Sequence, residues 1–173
     1  MRYLQVKWIL LLMGLFASTV SIGQQTAQPA AQLPPYKQFP TLPPLELQLP
    51  DSSKFLKTDL KKQETIIMYF SPDCDHCIHQ MDDMKKRMKD LQPYQIILVT
   101  YQPMDLLVGF IKKYNLASYP NIKAGRDIKF ALPGFYQIKA LPYFALYDKK
   151  GNLVNTYESN TKVDKLIGSF THK

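Results

Sequence analysis

Apolar and polar positions change rhythm several times along this chain, and each rhythm predicts an element. Leu45-Glu-Leu-Gln-Leu49 alternates as a half-buried strand does and is closed by the turn residues Pro50-Asp-Ser-Ser53. Residues 65–70 and 95–101 are continuous apolar, β-rich runs, the pattern of strands buried on both faces. Between them Cys77, Met81, Met84, Met88 and Leu91 recur every three or four residues, with Asp82, Asp83, Lys85, Lys86 and Arg87 turned away. This predicts one amphipathic helix, supported by Asp82–Lys86 and Asp83–Arg87 pairs. Methionines at that spacing are read as packing rather than as a metal or partner surface. Met104, Leu107, Val108, Ile111 and Tyr114 predict a second helix despite Gly109. Residues 143–148 and 153–157, joined by a turn at 149–152, predict a hairpin, and residues 163–170 a closing helix. The order β-α-β-α, then an antiparallel hairpin and a helix, predicts an α/β fold with a mixed sheet.

Two N-terminal segments fall outside this scheme. Arg2 and Lys7 precede an uncharged apolar run from Trp8 to Ala17, and the small residues Ser21 and Gly23 stand before Gln24. That is the pattern of a secretory signal peptide over residues 1–23, too short in its apolar part for the roughly 20 residues of a spanning helix. Membrane contact is expected only where that segment stays uncleaved. Residues 24–35 are rich in Pro, Gln and Ala and read as a disordered linker, which leaves one domain over 36–173. A chain of 173 residues, 46% hydrophobic and 21% charged, is long enough for one such core.

Charge changes the picture little. The net charge is +8, and +6 without residues 1–23. The densest basic run, Lys85 to Lys89, is interleaved with Asp82, Asp83 and Asp90, as on a solvated helix face, so no nucleic-acid partner is expected.

The candidate chemistry lies in Ser71-Pro72-Asp73-Cys74-Asp75-His76-Cys77, where a buried strand gives way to an amphipathic helix. A first cysteine at a helix N-terminus meets unpaired N–H groups and the positive end of the macrodipole, which favour the nucleophilic thiolate. A second cysteine one turn on is placed to attack the first sulfur and release a bound thiol. Cys74 is therefore read as the attacking thiol and Cys77 as the resolving one. His76 favours a thiolate at Cys74 and Asp75 opposes it, so the two tune the couple in opposite directions. No metal is expected: His79 would make a Cys-Cys-His set with the two cysteines, and the fourth ligand that structural zinc wants would have to come from the C-terminal His172. A purely structural disulfide across so short a loop would stabilise little.

These residues resemble the thioredoxin-like family, in particular its exported branch of TlpA and ResA type, over about residues 36–170. The strand at 45–49 with its Pro50-Asp51 turn is similar to that branch's N-terminal hairpin, and Asp59-Leu60 to a short helix before the central strand. Phe135-Tyr-Gln-Ile-Lys-Ala-Leu-Pro142 is similar to the family's loop that ends in a cis-proline facing the CxxC motif. The resemblance implies a thioredoxin fold with a central mixed sheet flanked by helices and an extra N-terminal strand or hairpin. It also implies that Leu141 and Pro142 form a substrate-docking loop. The implied partners are protein thiols and disulfides of the cell envelope and a redox partner of unspecified identity. No cofactor beyond the Cys74–Cys77 pair is implied, and the location is periplasmic or otherwise extracytoplasmic.

Three positions depart from the family. Asp73 replaces the usual Trp before the first cysteine, and Asp75-His76 matches neither Gly-Pro nor Pro-His. Met68 stands where many thioredoxins carry a buried acid, so the proton acceptor for Cys77 is unassigned. Two other functions compete. A peroxiredoxin-like peroxidase is matched by Ser71 but not by Ile67, which stands where that family has proline. A non-catalytic binding module on the same fold has both cysteines against it.

Overall fold

Residues 33–171 are described by the computed structural model; the signal peptide expected over residues 1–23, the expected linker as far as residue 32, and His172 lie outside the described residues. The elements in chain order are α1 (Pro35–Gln38), β1 (Glu46–Gln48), β2 (Lys54–Leu56), β3 (Thr65–Tyr69), α2 (Asp75–Lys86), α3 (Met88–Leu91), β4 (Gln95–Thr100), α4 (Met104–Lys113), β5 (Ile122–Arg126), α5 (Ala131–Tyr136), β6 (Tyr143–Tyr147), β7 (Leu153–Glu158) and α6 (Val163–Gly168). The seven strands form one sheet in the order β2-β1-β5-β4-β3-β6-β7. Strands β3, β4 and β5 are parallel; β6 and β7 on one side, and β1 and β2 on the other, run antiparallel to their neighbours.

Strands β3 and β4 lack polar alternation because both faces of the sheet are covered. Ile66, Met68, Ile96 and Leu98 enter a core with Met81 and Met84 of α2, Leu107 and Phe110 of α4, and Leu166 of α6. Ile67, Tyr69, Ile97 and Val99 point the other way, into a core with Leu132 and Tyr136 of α5 and Leu45, Leu47 and Phe55 of the β1–β2 hairpin. Every residue of both strands is buried. Tyr36 of the short α1 packs against this second core.

Several expectations need correction. The helix read across residues 77–91 is two pieces, because Arg87 (φ −116°, ψ 23°) leaves helical geometry and divides α2 from α3. The predicted ion pairs are consequently rearranged: Lys86 pairs with Asp83 at 3.0 Å, Arg87 reaches Asp90 and Asp164, and Asp82 accepts a 2.9 Å hydrogen bond from the Tyr114 hydroxyl. The helix read at Asp59-Leu60 is a 3₁₀ turn over Lys57–Asp59, with the Asp59 carboxylate accepting from the Leu56 N–H at 2.7 Å. Four elements escaped the hydrophobic pattern altogether. Helix α1 is four residues long and begins at Pro35, strand β2 is three residues long, β5 contains Lys123 and Gly125, and α5 contains Pro133 and Gly134. Gly125 is required at its place, since a Cβ there would lie 2.8 Å from Leu47 Cβ, where β1 crosses to pair with β5.

Candidate active site

Strand β3 delivers the chain to its C-terminal edge, and residues 71–74 turn it into α2. Cys74 is the N-cap of that helix, with extended backbone (φ −88°, ψ 121°), and is half-buried. Cys77 lies one turn on and is fully buried in the core shared with Met68, Phe70, Met81 and Phe144. The different surroundings of the two thiols follow from the helix period. Cys77 continues the apolar stripe of Met81 and Met84, whereas Cys74 precedes the first helical turn at the rim of that core. Burial pushes the Cys77 thiol up to about 12; the neighbouring Cys74 and Asp73 push the same way, against a hydrogen bond from the Ser71 backbone. That N–H donates to Cys77 Sγ at 3.5 Å.

Asp75 and His76 are both exposed in the first turn of α2. The His76 carbonyl accepts from Asn160 Nδ2 at 2.7 Å, and Gln80 of the same helix is tied to Thr161. Helix α2 is therefore held at its start by the loop that precedes α6.

The Leu141–Pro142 bond is cis. Register places it at the same edge of the sheet as the cysteines: Tyr143 of β6 pairs with Tyr69 of β3, so Pro142 follows in line beside Phe70, four residues before Cys74. Pro142 is buried, while half-buried Leu141 packs against both cores. Cys74 packs against the first of these cores too. The structure thus gathers Cys74, Cys77, Leu141 and Pro142 at one edge and leaves Asp75 and His76 on its solvent side. No group of three or more metal-ligating side chains occurs among the described residues.

The fold matches solved structures. A thiol-disulfide oxidoreductase from Bacteroides fragilis aligns at 15% identity over 76% of this chain and 97% of that one, with a TM-score of 0.62. A secreted Mycobacterium tuberculosis disulfide oxidoreductase homologous to E. coli DsbE aligns at 16% identity over 75% and 96%, TM-score 0.59. StoA from Bacillus subtilis aligns at 17% over 76% and 99%, TM-score 0.58.

A putative thioredoxin from Neisseria meningitidis aligns at 22% identity over 75% of this chain and 86% of that one, TM-score 0.61. The fold is thioredoxin-like.

No family model matches the chain, and no curated protein sequence does. In this thioredoxin-like frame, residues that the sequence did not single out come to the site edge. Gln102, just beyond β4, donates from Nε2 to Ser71 Oγ at 2.9 Å, and Ser71 Oγ donates to Asp73 Oδ1. Exposed Tyr101 and Phe130 meet edge to face at 5.5 Å, with Tyr101 stacked on buried Tyr69. Their position at the C-terminal ends of β4 and β5, where parallel sheets gather chemistry, is the signal that points to them; at β5, Lys123 and Gly125 hide the strand in the sequence.

Proposed function

We propose that the chain is an exported thiol–disulfide oxidoreductase that exchanges disulfides with proteins of the cell envelope. The observation that carries this reading is the unequal pair: half-buried Cys74 at the start of α2 and, one turn further, Cys77 fully buried behind it. Cys74 attacks a substrate disulfide and forms a mixed disulfide while the first substrate thiolate leaves. Cys77 then attacks Cys74 Sγ; the Cys74–Cys77 bond forms, the second substrate thiol departs, and two electrons have passed to the substrate. The reverse sequence oxidises a dithiol. The pair needs no cofactor, and a separate redox partner restores it. Leu141 and Pro142 at the same edge are assigned to substrate docking, and Asp75 and His76 to tuning the couple.

Placement in the TlpA and ResA branch draws support from the β1–β2 hairpin added beside β5. Export, to the periplasm or another extracytoplasmic space, draws support from the leader sequence and from the secreted character of the M. tuberculosis protein similar in fold. The test is insulin reduction with dithiothreitol. Wild type is expected to accelerate it and Cys74→Ala to abolish the gain; a rate equal to that of dithiothreitol alone would leave only a binding module on this fold.

A further inference from the structure

Resolution requires Cys77 to lose a proton, yet the core around it offers nothing to take one. Met68 is fully buried in that core, where a carboxylate would serve many thioredoxins; Phe70, Met81, Phe110 and Phe144 are apolar, and the Tyr114 hydroxyl is engaged with Asp82. The one buried carboxylate among the described residues is Asp127. It belongs to the opposite face of the sheet, where it accepts from the Ala131 and Leu132 N–H groups at the start of α5.

Polar contact with Cys77 Sγ comes from the Ser71 N–H, in the turn before α2, and from Cys74. Ser71, 4% exposed, directs its N–H at Cys77 Sγ across 3.5 Å. Its hydroxyl donates to Asp73 Oδ1 and accepts from Gln102 Nε2 at 2.9 Å; the Gln102 N–H in turn donates to Thr100 Oγ1 at 3.2 Å. Thr100 is fully buried at the end of β4, so the chain of bonds is anchored in the sheet. The carboxylate of Asp73 is exposed, and its charge acts on Cys77 together with that of Cys74. Asp75 and His76, the other titratable groups of this turn, are exposed on the first turn of α2.

We propose that Asp73, held by Ser71 and through it by Gln102, accepts the proton of Cys77 in the resolving step, while the Ser71 N–H stabilises the sulfur as its charge develops. The proposal rests on the oxidoreductase reading. In the step, the Cys77 S–H bond breaks and its proton passes to the carboxylate. The Cys77–Cys74 bond forms as the bond from Cys74 to the substrate sulfur breaks, and the substrate leaves as a thiolate that is protonated by solvent or by Asp73. Ser71 and Gln102 are positioning residues: Ser71 binds the carboxylate through its hydroxyl and Cys77 Sγ through its N–H, and burial keeps that thiol protonated.

Asp73→Asn separates this role from a merely electrostatic one by sign. If the carboxylate only repels negative charge from Cys77, its removal eases thiolate formation and resolution quickens. If it is the proton acceptor, resolution slows, on the order of 10-fold or more near pH 7. Reduced protein mixed with Ellman's disulfide in a stopped-flow instrument reports both steps, as one chromophoric thiolate released on attack and a second on resolution. Wild type is expected to show a second phase nearly level between about pH 6 and pH 8. The Asp73→Asn second phase should be slower and rise with pH by up to about tenfold per unit, as hydroxide replaces the base. Ser71→Ala, which keeps the N–H and the carboxylate but removes the tether, should slow the second phase less. Circular dichroism confirms that each variant is folded, and Gln102→Met supplies the same test from the outer end of the network should Ser71→Ala unfold. A second phase in Asp73→Asn at the wild-type rate or faster overturns the proposal. Absence of a second phase in wild type would instead overturn the oxidoreductase reading itself.

Discussion

Gln80 binds the backbone of Thr161 at both ends of its amide: Oε1 accepts the Thr161 N–H at 2.7 Å and Nε2 donates to the Thr161 carbonyl at 3.0 Å. Both residues are buried and 81 positions apart, so this pair fixes the cysteine-bearing helix to the loop before α6. Gln80→Leu keeps helix propensity and bulk but leaves the Thr161 N–H and C=O without their partner. A loss of about 2–3 kcal/mol in urea unfolding is expected, the penalty for buried backbone groups left unpaired. A midpoint unchanged from wild type would show that water or a shifted loop satisfies them.

The unequal burial of the two thiols predicts which variant traps partners. Cys77→Ala leaves the accessible nucleophile without its resolving neighbour, so mixed disulfides should accumulate. Cys74→Ala leaves a thiol with no exposed surface and should trap far less. Non-reducing gels after acid quenching and alkylation check this, and the reverse pattern would exchange the two roles.

Protonation gives a second handle on the same asymmetry. With its thiol raised to about 12, Cys77 in Cys74→Ser should resist iodoacetamide near pH 8 and gain reactivity as pH rises towards that value. Cys74 in Cys77→Ser should react readily at pH 8. The linkage has a definite sign: the raised value favours the folded state fully below the ordinary thiol range, and this contribution is lost as pH climbs from about 9 to about 12. Mass spectrometry of the alkylated variants across pH is the measurement.

Asp75 and His76, exposed on the first turn of α2, carry opposed influences on the couple. An intermediate potential is expected, on the order of −150 to −250 mV. Asp75→Asn should raise it and His76→Ala should lower it. Glutathione titrations showing no change in either variant would remove both residues from the tuning of the pair.

Gly125 links sheet geometry to the N-terminal hairpin. Adding a methyl group there forces it to 2.8 Å from Leu47 Cβ and 3.2 Å from the Gln48 carbonyl oxygen. Gly125→Ala should therefore push β1 from β5 and cost about 1–3 kcal/mol. Faster hydrogen exchange at β1, with β3 and β4 protected as before, is the expected signature.

What the sequence determined by itself was whatever depends on neighbours in the chain. Period and length marked β3 and β4 as doubly covered strands and β6–β7 as a hairpin. The position of Cys74 before an amphipathic repeat was enough to make one thiol accessible and the next buried, because both follow from the same 3.6-residue turn. The elements that escaped, α1, β2, β5 and α5, are three to six residues long and carry Gly, Pro or Lys, so their stability comes from strand pairing and packing rather than local preference. Only the tertiary structure could bring Gln80 to Thr161, Gln102 to Ser71, and Pro142 into line with β3. Each of those contacts joins segments separated by 31 or more residues, or depends on the register of one strand against another. A hydrogen bond of that kind is set by where the sheet places two backbones, and a side chain's identity says only that it is able to make one.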